Sequence, residues 1–277
     1  MLGILLISLG TILGEFSGSY GKMEVQKKEE SLLGMGFLSV FMGGIFIFAS
    51  LLFGQKFVFS FESLPTFSLR LILEIVLTHM SIIAISKSDR STFSFLRMVT
   101  IPLLVLVDVV LVGYLPTNKQ IFGIFIIFMI IIISGIRGDI NRKGIWWALS
   151  TGVGAVFTIA LYKYNITHFN SVVAEQGIIY VALVFYFVIF SLLKKEGNLF
   201  KMLFIPKFFV QSSALGVSGL LESFAYLYAP ASIILTSKRA FSLLWAELAG
   251  WRYFGEKNLL RKLLISIFLV VGVFLLI

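Results

Sequence analysis

Phe95-Leu96-Arg97-Met98-Val99-Thr100-Ile101-Pro102 and, 140 positions further on, Leu235-Thr236-Ser237-Lys238-Arg239-Ala240-Phe241-Ser242 share a grammar more than an identity. In both, basic residues stand near the start of an apolar segment. A short polar stretch follows, Pro116-Thr117-Asn118-Lys119-Gln120 in one case and Glu256-Lys257-Asn258-Leu259-Leu260 in the other, and a last apolar run closes the half. Working outward from this pair, apolar windows predict spans near 2–20, 34–54, 67–86, 92–114 and 120–136, then 144–163, 172–193, 207–228, 232–250 and 259–277. Five spans per half is an odd number, so the two halves insert with opposite orientation. The halves are drawn as residues 1–139 and 140–277 of one membrane domain, hinged at Gly135 to Gly144.

Composition excludes a soluble fold. Hydrophobic residues make up 58% of the 277, charged residues 13%, and mean hydropathy is +1.00. A spanning helix uses about 20 apolar residues, so the expectation is an all-α polytopic membrane protein with ten transmembrane helices as two five-helix inverted repeats. Residues 1–20 have no basic start and no small-residue cleavage site, so the first segment is expected to stay in place. With no cysteine and two histidines, neither a disulfide framework nor a zinc centre is expected, and no metal or cofactor is predicted. No Gly-x-Ser-x-Gly, His-Glu-x-x-His or loop carboxylate pair points to an enzyme. The net charge of +9 sits in predicted membrane-edge loops, which points to anionic lipid headgroups and away from nucleic acid. Loops after the odd-numbered spans hold most of the lysine and arginine, so the positive-inside rule places both termini outside.

The chemistry lies in charges inside apolar segments, each costing about 2.5–3.5 kcal/mol at a helix centre on insertion scales. Glu15, Arg70, Glu74, Arg97, Asp108, Glu222, Lys238, Arg239 and Glu247 are of this kind. Arg70 lies within a turn of its predicted span start, where it can snorkel to the interface and pair with Glu74 at i,i+4. Arg97 and Asp108, eleven residues apart, fall on nearly the same helix face. The 140-residue offset sets Arg97 within two positions of Lys238 and Arg239, and three cations at one depth favour an anionic ligand. A structural alternative stays open, in which Glu222 and Glu247 neutralise Lys238 and Arg239. Glu15, in Gly14-Glu15-Phe16-Ser17-Gly18, and Glu222 are the candidate proton carriers, because desolvation lifts a carboxylate toward neutrality. Asp108 and Glu247 join Glu15 as candidates for coupling or gating. Tyr226 and Tyr228, beside Glu222, are candidate cavity lining. His79 reads as a packed helix histidine and His168 as a loop residue, while Trp146, Trp147, Trp245 and Trp251 fall near predicted span ends.

Ala225-Tyr226-Leu227-Tyr228-Ala229-Pro230-Ala231-Ser232-Ile233-Ile234, then Lys238-Arg239, then Phe254-Gly255-Glu256-Lys257 and Val271-Gly272-Val273 resemble the closing helices of EamA-type carriers of the drug/metabolite transporter superfamily. Residues 84–135 are a weaker copy, with Leu115-Pro116 where that family's first repeat often has Gly-Glu. Lys238-Arg239 is also similar to the Lys-Arg pair that holds phosphate in plastid phosphate-sugar carriers. The resemblance implies a secondary transporter that moves a small polar metabolite by alternating access, with anionic or phosphorylated substrates, proton coupling and exchange all open. The offset and the buried charges make Arg97, Lys238, Arg239, Glu222 and Tyr226 the expected substrate contacts, the Lys238-Arg239 pair also by that likeness. Further implications are a multi-pass protein of the bacterial cytoplasmic membrane, monomer or homodimer, with membrane lipids as partners. A lipid or lipid-linked sugar flippase of the same fold, and a membrane protein without transport activity, are the alternatives. Gly152-Val153-Gly154 and Gly216-Val217-Ser218-Gly219 are expected to supply close helix contacts.

Overall fold

A computed structural model describes residues 1–112, 117–136, 144–257 and 259–275, the side chains of 108–112, 131, 132, 134–136, 259, 261, 262 and 273 apart. An apolar run with no water beside it must satisfy its backbone groups internally, and a helix does so within one segment. The described residues form helices and no strand. These are α1 (Leu2–Gln26), α2 (Leu32–Ala49), α3 (Leu64–Lys87), α4 (Arg90–Leu96), α5 (Thr100–Val112), α6 (Asn118–Ile136), α7 (Ile145–His168), α8 (Val172–Lys194), α9 (Pro206–Ala225), α10 (Ala231–Phe254) and α11 (Leu259–Phe274). Among the described residues, six stretches are long and apolar enough to cross a membrane: Leu2–Gln26, Leu32–Phe53, Phe61–Lys87, Arg90–Val107, Ile145–His168 and Val172–Lys194. They are compatible with an integral, multi-pass membrane protein. Exposed Phe122 and Phe125 on α6, Phe185 and Ile189 on α8, and Leu264 and Phe268 on α11 give those helices apolar outer faces that suit lipid.

Helix ends follow local chemistry. Ser31 accepts a hydrogen bond from the Gly34 amide at the start of α2, and Ser171 accepts one from Ala174 at the start of α8. Pro65 and Pro206 sit in the first turns of α3 and α9, where a missing N–H costs nothing. The first helix runs six residues past the expected end at Tyr20. Lys22, expected in a membrane-edge loop, is instead a buried helical residue whose ammonium donates to the Ser88 carbonyl at 2.6 Å and lies over the Phe254 ring. His168 closes α7 and does not sit in a loop. Trp245 lies well inside α10, half-buried, its ring 6.2 Å from that of Phe16. The predicted hinge at 135–144 and the half boundary at 139/140 fall largely outside the described residues.

Packing joins elements distant in sequence. Helix α1 lies against α9 and α10, α7 lies against α3 and the α4–α5 rod, α2 packs on α8 and α9, and α6 packs on α11. Glycine sets the closest approaches. A methyl group on Gly10 would stand 3.1 Å from the Ser218 carbonyl oxygen, and one on Gly216 would stand 2.7 Å from the Met42 carbonyl carbon, so α1, α2 and α9 meet nearly backbone to backbone. Elsewhere Phe37, Ile47, Ile179 and Phe187 fill the space between α2 and α8, and Met98, Ile101, Ile127, Leu243 and Leu269 fill that between α5, α6, α10 and α11.

Candidate functional site

A cavity of about 340 Å³ opens between α2, α3, α7, α8, α9, α10 and the turn that joins α4 to α5. Its position follows from a local fault in one rod. Pro102 has no N–H to offer the Met98 carbonyl, and a single 3-10 turn, Arg97–Val99, separates α4 from α5 there. That turn carries Arg97 to the cavity wall. Thr100, just after it, donates its hydroxyl hydrogen to the Arg97 carbonyl at 2.6 Å and accepts from Arg239 Nε at 3.1 Å. One hydroxyl thereby ties the Arg239 guanidinium to the backbone of the turn that carries Arg97.

Four cations and two carboxylates line the cavity: Arg70, Arg97, Lys238 and Arg239 against Glu74 and Glu222. Their partners divide them. Lys238 is ion-paired with Glu222. Arg70 is paired at 2.8 Å with Glu175, behind the wall, and more loosely at 3.7 Å with Glu74. Arg97 and Arg239 have no carboxylate within 4.0 Å among the described residues. Arg97 Nε is buried without a hydrogen bond, and its guanidinium lies 5.1 Å from the centre of the Phe93 ring. Beside them the Tyr226 hydroxyl is buried and also unpartnered, its ring held edge-on against Tyr162. Two guanidinium groups without a direct carboxylate contact and an unpartnered phenol hydroxyl therefore converge on one space. Such a group of donors suits a carboxylate or phosphate, whose oxygens accept several charge-assisted hydrogen bonds at once.

Polar clamps close the bundle at either side of the cavity. On one side Glu175 accepts from Arg70, from Asn165 at 2.8 Å and from Asn170 at 2.6 Å, while Asn165 accepts from Thr66 at 2.6 Å and Asn170 from the Ser60 amide at 2.9 Å. On the other, Glu15 is ion-paired with Arg90 and accepts from Ser242, and Glu256 accepts from the Arg90 amide at 2.7 Å and from Ser91. Each clamp crosses from the first half of the chain to the second.

Several expectations change. Arg70 does not snorkel, being 2% exposed and lying 4.5 Å over the Tyr162 ring. Glu247 lies away from Lys238 and Arg239 and accepts from Ser266 on α11 at 2.6 Å, so it neither neutralises the cations nor lines the cavity. Glu15 belongs to the Arg90 clamp and not to the cavity wall. Tyr228 is 54% exposed and outside the lining. Asp108 lies on α5, its side chain outside the described residues. His79, which had no partner in the sequence, meets the Tyr186 hydroxyl at 3.0 Å. Arg97, Lys238, Arg239, Glu222 and Tyr226 all line the cavity. Missed were Thr100, Arg90, Glu175, Asn165 and Asn170. The signal for Glu175 was a carboxylate one turn inside a predicted span, and for Arg90 a cation at a span's edge.

Glu175 and Arg70 are 0% and 2% exposed, so removing the Glu175 charge leaves the buried Arg70 with only the looser Glu74 carboxylate at 3.7 Å. Glu175→Gln is expected to lower the unfolding free energy by about 3–5 kcal/mol, read as a large fall in the melting temperature of the detergent-solubilised protein. An unchanged melting temperature overturns this. Among the described residues no group of histidine and acidic side chains could hold a metal ion. No protein-family model matches the chain, and no curated protein matches it.

Proposed function

We propose that the chain is a secondary transporter for a small organic anion, a carboxylate or phosphate ester, which binds between Arg97, Arg239 and Tyr226. The observation that carries this is the pair of guanidinium groups left without a carboxylate in a cavity whose other cations are neutralised. Leaving charge uncompensated inside a bundle costs several kcal/mol per ion unless a partner arrives. A substrate anion is that partner.

Alternating access in a ten-span, EamA-type architecture of two inverted repeats is the framework we assign, in a bacterial cytoplasmic membrane by the same resemblance. Supporting it, α4 and α10 begin 141 positions apart, at Arg90 and Ala231, and so do α6 and α11, at Asn118 and Leu259. At that offset Arg97 corresponds to Lys238. The packing has the same internal correspondence. Helix α1 lies on α9 and α10 as α7 lies on α3 and α4–α5, while α2 with α8 and α6 with α11 are counterparts in direct contact. Clamps on both sides of the cavity provide the two gates that rocking around a central site needs.

The test is ligand-dependent stability of the purified protein against carboxylates, sugar phosphates, nucleotides, amines, neutral sugars and phospholipids. A ligand binding only the folded form at a hundred times its Kd adds about 2.7 kcal/mol. Stabilisation by an anion is expected. Stabilisation confined to amines, neutral compounds or lipids sinks the proposal, and the last outcome favours a lipid-handling role.

A further inference from the structure

Arg70 and Gln211 are 141 positions apart, each five residues after the proline that opens its helix. They make corresponding contacts of unequal charge. Arg70, on α3, meets Glu175 in the first turn of α8. Gln211, on α9, meets Glu30, two residues before α2. Where the first contact is a full ion pair, the second brings an amide to a carboxylate.

Glu30 is 5% exposed and Gln211 3%. Gln211 Nε2 stands 3.3 and 3.4 Å from the two carboxylate oxygens, at the far limit of hydrogen bonding, while Gln211 Oε1 is buried with no partner. No cation lies within 4.0 Å of Glu30 among the described residues. The charged groups that act on Glu30 are Glu24 from α1 and Lys207 from α9, and Lys27, Lys28 and Glu29 precede it in the connecting turn. Lys207 is already engaged by Glu24 and Glu29. Helix α1 leaves room for the amide through Gly21, where a methyl group would stand 2.6 Å from Gln211 Nε2.

An orphaned buried acceptor beside an uncompensated buried carboxylate is completed by one proton. With Glu30 protonated, a turn of the Gln211 amide lets the acid O–H donate to Oε1 while the other carboxyl oxygen accepts from Nε2, so that both groups are satisfied. We infer that Glu30 and Gln211 form a proton-binding latch that holds the α1–α2 turn against α9, closed while Glu30 carries a proton and released when it ionises. Burial, with Glu24 adding to it and Gln211 and Lys207 opposing it, pushes the Glu30 carboxyl up to about 8. A closed state that binds the proton more tightly than an opened, hydrated one gains as pH falls from about 8 toward the ordinary carboxylate value of about 4.5, and loses as pH rises through 8. This goes beyond the transport reading, since the latch works whatever the cavity binds.

The chain has no cysteine, so two introduced cysteines carry unique spin labels. Labels at Lys28→Cys and Lys201→Cys, in lipid vesicles without substrate, report the separation of the α1–α2 turn from the segment leading into α9. A short distance at pH 6 giving way to a longer one at pH 9 is expected, the ratio changing at most about tenfold per pH unit for one proton. In the Glu30→Gln background the short distance is expected at both pH values. A parent distribution that ignores pH, a Glu30→Gln protein that follows pH as the parent does, or one fixed at the long distance overturns the latch. Should Glu30→Gln fail to fold, Gln211→Leu serves instead, and retention of the parent's pH response there has the same force. None of these outcomes bears on the anion site.

Discussion

Glutamine in place of Arg239 or Arg97 is expected to weaken the proposed anion binding tenfold to a hundredfold or more while raising the melting temperature of the ligand-free protein. The two effects have one cause. Each guanidinium offers a bound anion charge-assisted hydrogen bonds worth about 1.5–3 kcal/mol, and in the empty protein each sits near the other with no carboxylate in direct contact. Glutamine keeps much of the length and a donor but removes the charge. Lys238→Gln has the opposite signature without ligand, because it strands Glu222. Both members of that pair keep about a quarter of their side-chain surface toward the cavity, so the loss is about 1–3 kcal/mol, below that of a fully buried pair. Thermal unfolding and titration calorimetry on the three variants separate these signs. An Arg97→Gln or Arg239→Gln protein that melts lower than the parent yet binds the anion unchanged shows the guanidinium groups to be structural.

A second large effect concerns coupling. Closing the bundle around Arg97 and Arg239 without an anion dehydrates two like charges, at several kcal/mol for each ion. On the proposed transport reading the empty protein is therefore expected to return slowly, and labelled anion to enter vesicles preloaded with unlabelled anion on the order of a hundredfold faster than it enters empty ones. Equal rates in loaded and empty vesicles contradict this directly. In Arg97→Gln the gap is expected to narrow, since one of the two charges has gone.

The helical layout was legible because apolar windows of spanning length leave the backbone one solution. The cluster of Arg97, Lys238, Arg239, Glu222 and Tyr226 was legible too, from the offset between the halves and the cost of charge in apolar segments. Pairing was not. Glu247 and Arg239 lie two turns apart on α10, yet their side chains serve different spaces, because a helix turns about 100° per residue and Glu247 faces Ser266. Arg70 looked close enough to a helix end to reach water, and only the approach of α8, more than a hundred positions later, shows that Glu175 reaches it first. Glu30 was hidden among lysines and other glutamates in a stretch that reads as a solvated turn. Its burial depends on Gln211 arriving from α9.

Lodging α1 between α9 and α10 has a consequence for biosynthesis. The glycine face of α1 and the Glu15 carboxylate leave the ribosome some two hundred residues before Ser218 and Ser242, their counterparts in the finished bundle, exist. Until then the nascent amino-terminal half holds an unpacked seam and a carboxylate without its hydroxyl donor, conditions that invite quality control and aggregation. Contacts this remote in sequence close late and slowly. Synthesis of the last third of the chain therefore becomes the step that commits the whole protein, and a truncation anywhere before α10 leaves the insertion machinery with helices that cannot complete one another.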